Sequence, residues 1–161
     1  MTEGRRFGYQ PALDGLRALA VGAVIAYHLD AGGAHGGFLG VDAFFVLSGF
    51  LITSLLVGEW GQQRSIDLAQ FWLRRARRLL PALLLVLFAV AVYAAVAAPA
   101  TQLGQLRGDG LATLFYGANW RFIASGQSYF TLFTDASPLR HMWSLAIEEQ
   151  FYLVWPLVTF A

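Results

Sequence analysis

Apolar residues are not scattered along this chain but gathered into long blocks, each marked at its head or border by a small number of charged or polar positions. The first block, Pro11 to Leu29, carries Asp14, Arg17 and His28 inside it or at its borders. The second, Phe38 to Gly58, is interrupted by one carboxylate, Asp42, near its start. The third, Leu79 to Ala100, has no formal charge, and about 20 apolar residues suffice to cross a hydrocarbon core about 30 Å thick. Leu111 to Ala124 is shorter and holds Asn119 and Arg121, so it reads either as a polar spanning helix inside a bundle or as a re-entrant or interfacial piece. The last block, Met142 to Ala161, begins amphipathic, with Glu148 and Glu149 adjacent near its head, and turns apolar. The pattern therefore predicts an all-α, polytopic transmembrane helix bundle with four or five spans, and no strand periodicity competes with it.

Composition changes the picture by fixing the solvent. Apolar residues make up 57% of the 161 and charged residues 13%, too little polar surface to coat a soluble domain of this size. Arg5 and Arg6 precede the first block, but no small-residue cleavage site follows, and internal charges make a signal peptide a poor fit. Arg64, Arg74, Arg75, Arg77 and Arg78 all lie between the second and third blocks. The positive-inside rule then places the N-terminus and that connection in the cytoplasm, and the arginine-free segment from Asp30 to Gly37 outside, making the first two spans a hairpin. Thr159-Phe160-Ala161 is still in mid-pattern, so the sequence reads as the N-terminal part, residues 1–161, of one larger membrane domain.

Charge excludes some partners. A net charge of +1 offers no basic stripe, so nucleic acid is not expected. There is no cysteine, which removes thiolate nucleophiles and thiolate metal sites, and no metal is indicated. All eleven cationic side chains are arginine, either a mark of a GC-rich genome or a use of planar guanidinium, which suits phosphate better than ammonium does.

Candidate chemistry follows from where ionisable groups fall, because charge beside a bilayer-spanning element is costly and marks a functional site by default. The step from Arg17 to His28 is about 1100° of helical rotation, about 20° from three full turns, so both share a face, and Asp14 extends that stripe. A plain structural role competes: Asp14 as a helix cap, Arg17 reaching to the interface, His28 in the opposite headgroup region. Imidazole, however, is a natural proton acceptor at neutral pH. In Phe71-Trp72-Leu73-Arg74-Arg75-Ala76-Arg77-Arg78-Leu79-Leu80-Pro81, Arg75 and Arg78 are neighbours on one helical face and suited to gripping phosphates through bidentate hydrogen bonds. A topogenic anchor explains the same cluster. Ser48 lies outside any Gly-x-Ser-x-Gly elbow and is expected to bond a neighbouring helix. Glu148 and Glu149 point about 100° apart on a helix, so one faces a site directly and the other, Glu148, is expected to be an interfacial charge. His35 lies in a glycine-rich loop and is expected to be solvated, while His141 beside Trp143 is a candidate for the acceptor side.

Together these segments resemble the acyltransferase type 3 family, the membrane O-acyltransferases that include O-antigen and peptidoglycan acetylases. The resemblance rests on Leu13-Asp14-Gly15-Leu16-Arg17-Ala18 with His28, and on Gly40-Val41-Asp42 through Ser48-Gly49-Phe50-Leu51-Ile52-Thr53. It continues in Arg74 to Pro81, Asn119-Trp120, and Ser137-Pro138-Leu139-Arg140-His141-Met142-Trp143-Ser144-Leu145 through Tyr152. It implies a domain of about ten spans in a bacterial inner membrane, moving an acyl group, acetyl above all, from cytosolic acyl-CoA to a hydroxyl of an extracytoplasmic glycan or lipid-linked sugar. Arg17 and His28 match the arginine and catalytic histidine of the first helix. Arg75 and Arg78 match the third-helix arginine pair that would hold the donor, and Glu149, less closely Glu148, the acidic residue of the Trp-Ser-Leu-x-x-Glu-Glu-Gln-Phe-Tyr motif. Arg140 and Met142 depart slightly from the apolar and aromatic residues expected beside His141. In the implied chemistry neutral His28 deprotonates the acceptor hydroxyl, or carries the acyl group itself, while a carboxylate steadies the imidazolium. Two other readings stay open: a proton-coupled transporter or flippase-like bundle using Asp42, His28 and Glu149, and an inactive structural fragment.

Overall fold

The computed structural model describes residues 11–126 and 137–160, and every regular element among them is helical. In chain order they are α1 (Pro11–His28), α2 (Leu39–Gln63), α3 (Leu68–Val96), a single 3-10 turn (Ala100–Gln102), α4 (Leu103–Leu114), α5 (Ala118–Ala124) and α6 (Met142–Phe160). Arg5, Arg6 and Ala161, used above for orientation and for the last block, lie outside the described residues. The chain divides at Asp67 and Leu68 into two compact units.

The first unit is the expected hairpin. α1 ends at His28, a turn follows in which Leu29 N–H donates to Ile25 O and Ala31 N–H to Ala26 O, and α2 returns along α1. Glycine makes that return possible: a Cβ at Gly37 would overlap the Ala23 carbonyl, and one at Gly40 would overlap the Ala20 carbonyl. Small residues that let two helix backbones touch are the usual means of packing where hydrocarbon, not water, is the solvent. α2 runs beyond Gly58 to Gln63 and stops where Arg64 turns left-handed at φ 54°, its N–H donating to Trp60 O at 2.9 Å.

In the second unit α3 departs from the sequence expectation at both ends. It begins at Leu68, eleven positions before the apolar block, so the arginines ride on the helix rather than preceding it. Arg, Leu and Ala are all good helix formers, and hydropathy detects only the apolar part of a helix. It ends at Val96 rather than Ala100, because Pro99 disfavours helix at Ala98; Ala97 and Ala98 N–H both close on Tyr93 O. The 29 residues of α3, at about 1.5 Å each, include an uncharged apolar length sufficient to cross a membrane. Among the described residues α2, with 25 residues, is the other helix that is long and apolar enough. Leu84, Leu85, Phe88, Val92 and Val96 of α3 all face outward.

Leu111 to Ala124 is not one helix. α4 ends at Leu114, Tyr116 sits at φ 53°, Gly117 N–H reaches back to Ala112 O at 2.7 Å, and the seven residues of α5 set off in a new direction. Neither piece has the length of a span. α5 packs on α6 through Ala118, Phe122 and Ala146, with Tyr116, Met142 and Trp143 around them.

Candidate functional site

In the first unit, Asp14 is exposed in the first turn of α1 and Asp42 in the first turn of α2. Arg17 is half-buried, with its Nε enclosed and without a hydrogen-bond partner. His28 closes α1, exposed, its ring edge-on to Tyr27 and its Nδ1 at 2.8 Å from the Val24 carbonyl oxygen. A carbonyl can only accept, so Nδ1 carries the hydrogen, and this bond fixes the orientation of the ring. Ser48 is buried on α2, and His35 is exposed, as expected.

The second unit assembles a denser constellation where α3 meets α6. Arg75 is half-buried on α3, and its guanidinium lies flat against the Tyr152 ring at 3.4 Å from the ring centre, with the Phe71 ring at 5.6 Å. Such stacking is worth about 0.5–2 kcal/mol, more as water is excluded. Tyr152 is itself held at three points: its side chain is buried, its hydroxyl donates to Glu148 Oε1, and its carbonyl accepts from Trp72 Nε1 at 3.1 Å. Glu148 is thus tied into the α3–α6 contact and is not the plain interfacial charge that helical geometry suggests. Glu149 is half-buried, within electrostatic reach of Arg75, Glu148 and Tyr116. Its Oε1 and the Nε of Arg75 are both enclosed without a hydrogen bond. Arg78 is exposed one turn further along α3, and Arg74 and Arg77 are exposed as well. His141 is exposed just before α6, whereas the neighbouring Arg140 is buried.

Gln150 and Asn119 form a reciprocal amide pair, Gln150 Nε2 donating to Asn119 Oδ1 at 2.9 Å and Asn119 Nδ2 to Gln150 Oε1 at 3.3 Å. Gln150 Nε2 also donates to the Tyr116 carbonyl at 2.7 Å, an oxygen that the helix break strips of an intrahelical partner. A second clamp, Arg121 Nε to Asp109 Oδ1 at 3.0 Å, joins α5 to α4 with Asp109 fully buried. The guanidinium passes so close over Gly108 that any Cβ there would collide with it. Together these pin the α4–α5 corner to the turns of α6 that carry the two glutamates.

Asp109 is the residue that sequence reasoning missed. Twelve positions separate it from Arg121, a spacing with no meaning on a straight helix, and only the break at Phe115 to Gly117 brings them together. A carboxylate between two glycines was its one visible signal. Tyr152 and Gln150 stood inside a quoted motif without an assigned role, because a stack between helices leaves no trace in spacing. Among the described residues no group of three or more His, Cys, Asp and Glu side chains gathers closely enough to hold a metal ion.

The arrangement offers an exposed imidazole base in one unit and, in the other, a stacked guanidinium beside two carboxylates. Over 148 residues the chain is 55% identical to the peptidoglycan O-acetyltransferase OatA of Listeria monocytogenes, covering 92% of this chain and 24% of the relative. It is 51% identical over 150 residues to the O-acetyltransferase OatA of Staphylococcus aureus, covering 93% and 24%. The chain therefore spans about a quarter of the length of the curated relatives it matches. No solved structure matches it. Residues 10–161 match the family model described as an acyltransferase domain, and the chain belongs to that family, the acyltransferase type 3 family its motifs resemble.

Proposed function

We propose that this chain carries the leading helices of a membrane O-acyltransferase that moves an acetyl group from cytosolic acetyl-CoA to a hydroxyl of a cell-wall glycan. The observation that carries the reading is the place of His28: an imidazole exposed at the end of α1 and oriented through its Nδ1 contact with the Val24 carbonyl. The relatives supply the acceptor class, peptidoglycan, the exposed apolar side chains of α2 and α3 favour a bilayer setting, and the distribution of arginines favours a cytoplasmic N-terminus.

In the reaction His28 Nε2 takes the proton of the acceptor hydroxyl as its oxygen bonds to the thioester carbonyl carbon. The carbon–sulfur bond then breaks and the departing thiolate takes the proton from the imidazolium, so the histidine is restored. Arg17 lies on the same helical face as His28 and orients the reactants, and Arg75 with Arg78 holds the phosphates of the donor, with Glu149 beside Arg75 as the acidic residue of the second unit. Transfer through an acyl-histidine uses the same residues in two steps.

A general base contributes about 10²- to 10⁴-fold in rate. In the full natural chain in membranes, His28→Ala is expected to lower acetyl transfer to peptidoglycan by that factor with little change in the KM for acetyl-CoA. Unchanged turnover would remove His28 from the mechanism.

A further inference from the structure

We infer that Tyr152 is a positioning residue for donor binding: its ring, anchored through Glu148, holds the Arg75 guanidinium by its face and leaves its N–H donors uncommitted. This deepens the proposed function and rests on Arg75 holding the donor.

An arginine half-buried on an apolar helix must be held by some partner. The usual partner is a carboxylate, and a bidentate carboxylate occupies the in-plane N–H groups that phosphate would need. Here the guanidinium is held by its face. Its Cζ lies 3.4 Å from the centre of the Tyr152 ring, and its Nε makes no hydrogen bond. A face contact uses the π cloud of the ring and leaves the planar fork of donors unspent. Two carboxylates are close by, yet Glu148 takes the phenol hydroxyl and Glu149 keeps Oε1 without a hydrogen bond.

The ring is as tightly held as the cation it carries. Tyr152 is 2% exposed, its hydroxyl is bonded to Glu148 one turn back on α6, and Trp72 on α3 bonds its carbonyl. Trp72 and Arg75 stand three apart on the same helix, so one surface of α3 both grips the backbone of Tyr152 and rests on its ring. A side chain fixed in this way spends little conformational entropy when it meets its ligand, and the gain is in binding rather than in chemistry.

The test uses the full natural chain in membranes, with acetyl-CoA as the titrated probe and released CoA as the readout. Tyr152→Leu removes the face; it should raise the KM for acetyl-CoA about tenfold and change kcat much less. Tyr152→Phe restores the face and should recover most of that loss. Tyr152→Met, unbranched and better able to fill an irregular gap, reads the same parameter if the leucine variant does not accumulate. Arg75→Ala/Tyr152→Leu should bind acetyl-CoA no more weakly than Arg75→Ala alone, because the ring acts only through the guanidinium. The inference falls if Arg75→Ala raises KM while Tyr152→Leu and Tyr152→Met do not, or if the two losses multiply in the double variant. If Arg75→Ala itself leaves KM unchanged, Arg75 is not the donor's ligand, and the inference falls with that assignment.

Discussion

Each of the two units is held together internally, and the means are opposite. Between α1 and α2 the contact is made by what is missing: Gly37 and Gly40 lack the side chains that would keep the backbones of Ala23 and Ala20 away. Between α3, α4, α5 and α6 the contact is made by polar side chains reaching across: Asp109 to Arg121, Gln150 to Asn119 and Tyr116, Trp72 to Tyr152, Arg75 onto its ring. The difference follows from shape. Two long helices in a hairpin can touch along their length and need only a smooth seam. Short helices that turn corners, as α4 and α5 do, expose backbone carbonyls and have little length over which to pack, so specific bonds must fix their angles.

That contrast can be broken most severely at the seam. Gly40→Leu forces a Cβ into the Ala20 carbonyl, and the hairpin must open; a loss of about 3 kcal/mol or more is expected, read as a lowered thermal midpoint in detergent. An unchanged midpoint would mean the close approach is not needed. Asp109→Ala removes the fully buried partner of Arg121. Since Arg121 is 39% exposed and can turn to solvent, the expected cost is smaller than for a sealed pair, about 1–3 kcal/mol, with the α4–α5 corner loosening first by hydrogen exchange. Gln150→Leu deprives Asn119 and the Tyr116 carbonyl of their partner together, for about 1–2 kcal/mol; equal protection of α5 amides in variant and wild type would contradict the role given to the pair. The smallest effect, and of opposite sign, is expected at Gly58. No atom lies near a Cβ there, so Gly58→Ala should stabilise α2 by up to about 1 kcal/mol through helix propensity alone. A loss at Gly58 would show that the seam runs further along α2 than Gly37 and Gly40.

Much of the candidate site was legible before any coordinates. Asp14, Arg17 and His28 fall on the helix that the apolar pattern predicted, and Arg75 and Glu149 interact in space as members of motifs far apart in the chain. What spacing could not reach was the partner of each group. It assigned Glu148 to the interface, where the structure gives it the Tyr152 hydroxyl, and it passed over Asp109 altogether.

The sequence by itself determined the helices, because long blocks of apolar residues leave the backbone one economical way to satisfy its hydrogen bonds. It also determined which residue types carry charge beside those helices. Only the tertiary structure decided that α3 starts at Leu68, ahead of its four arginines, that Leu111 to Ala124 breaks at Tyr116, and that Arg75 is met by an aromatic face instead of a carboxylate. Those outcomes depend on crossing angles and distances between segments up to 80 positions apart, and no local pattern encodes an angle between two helices.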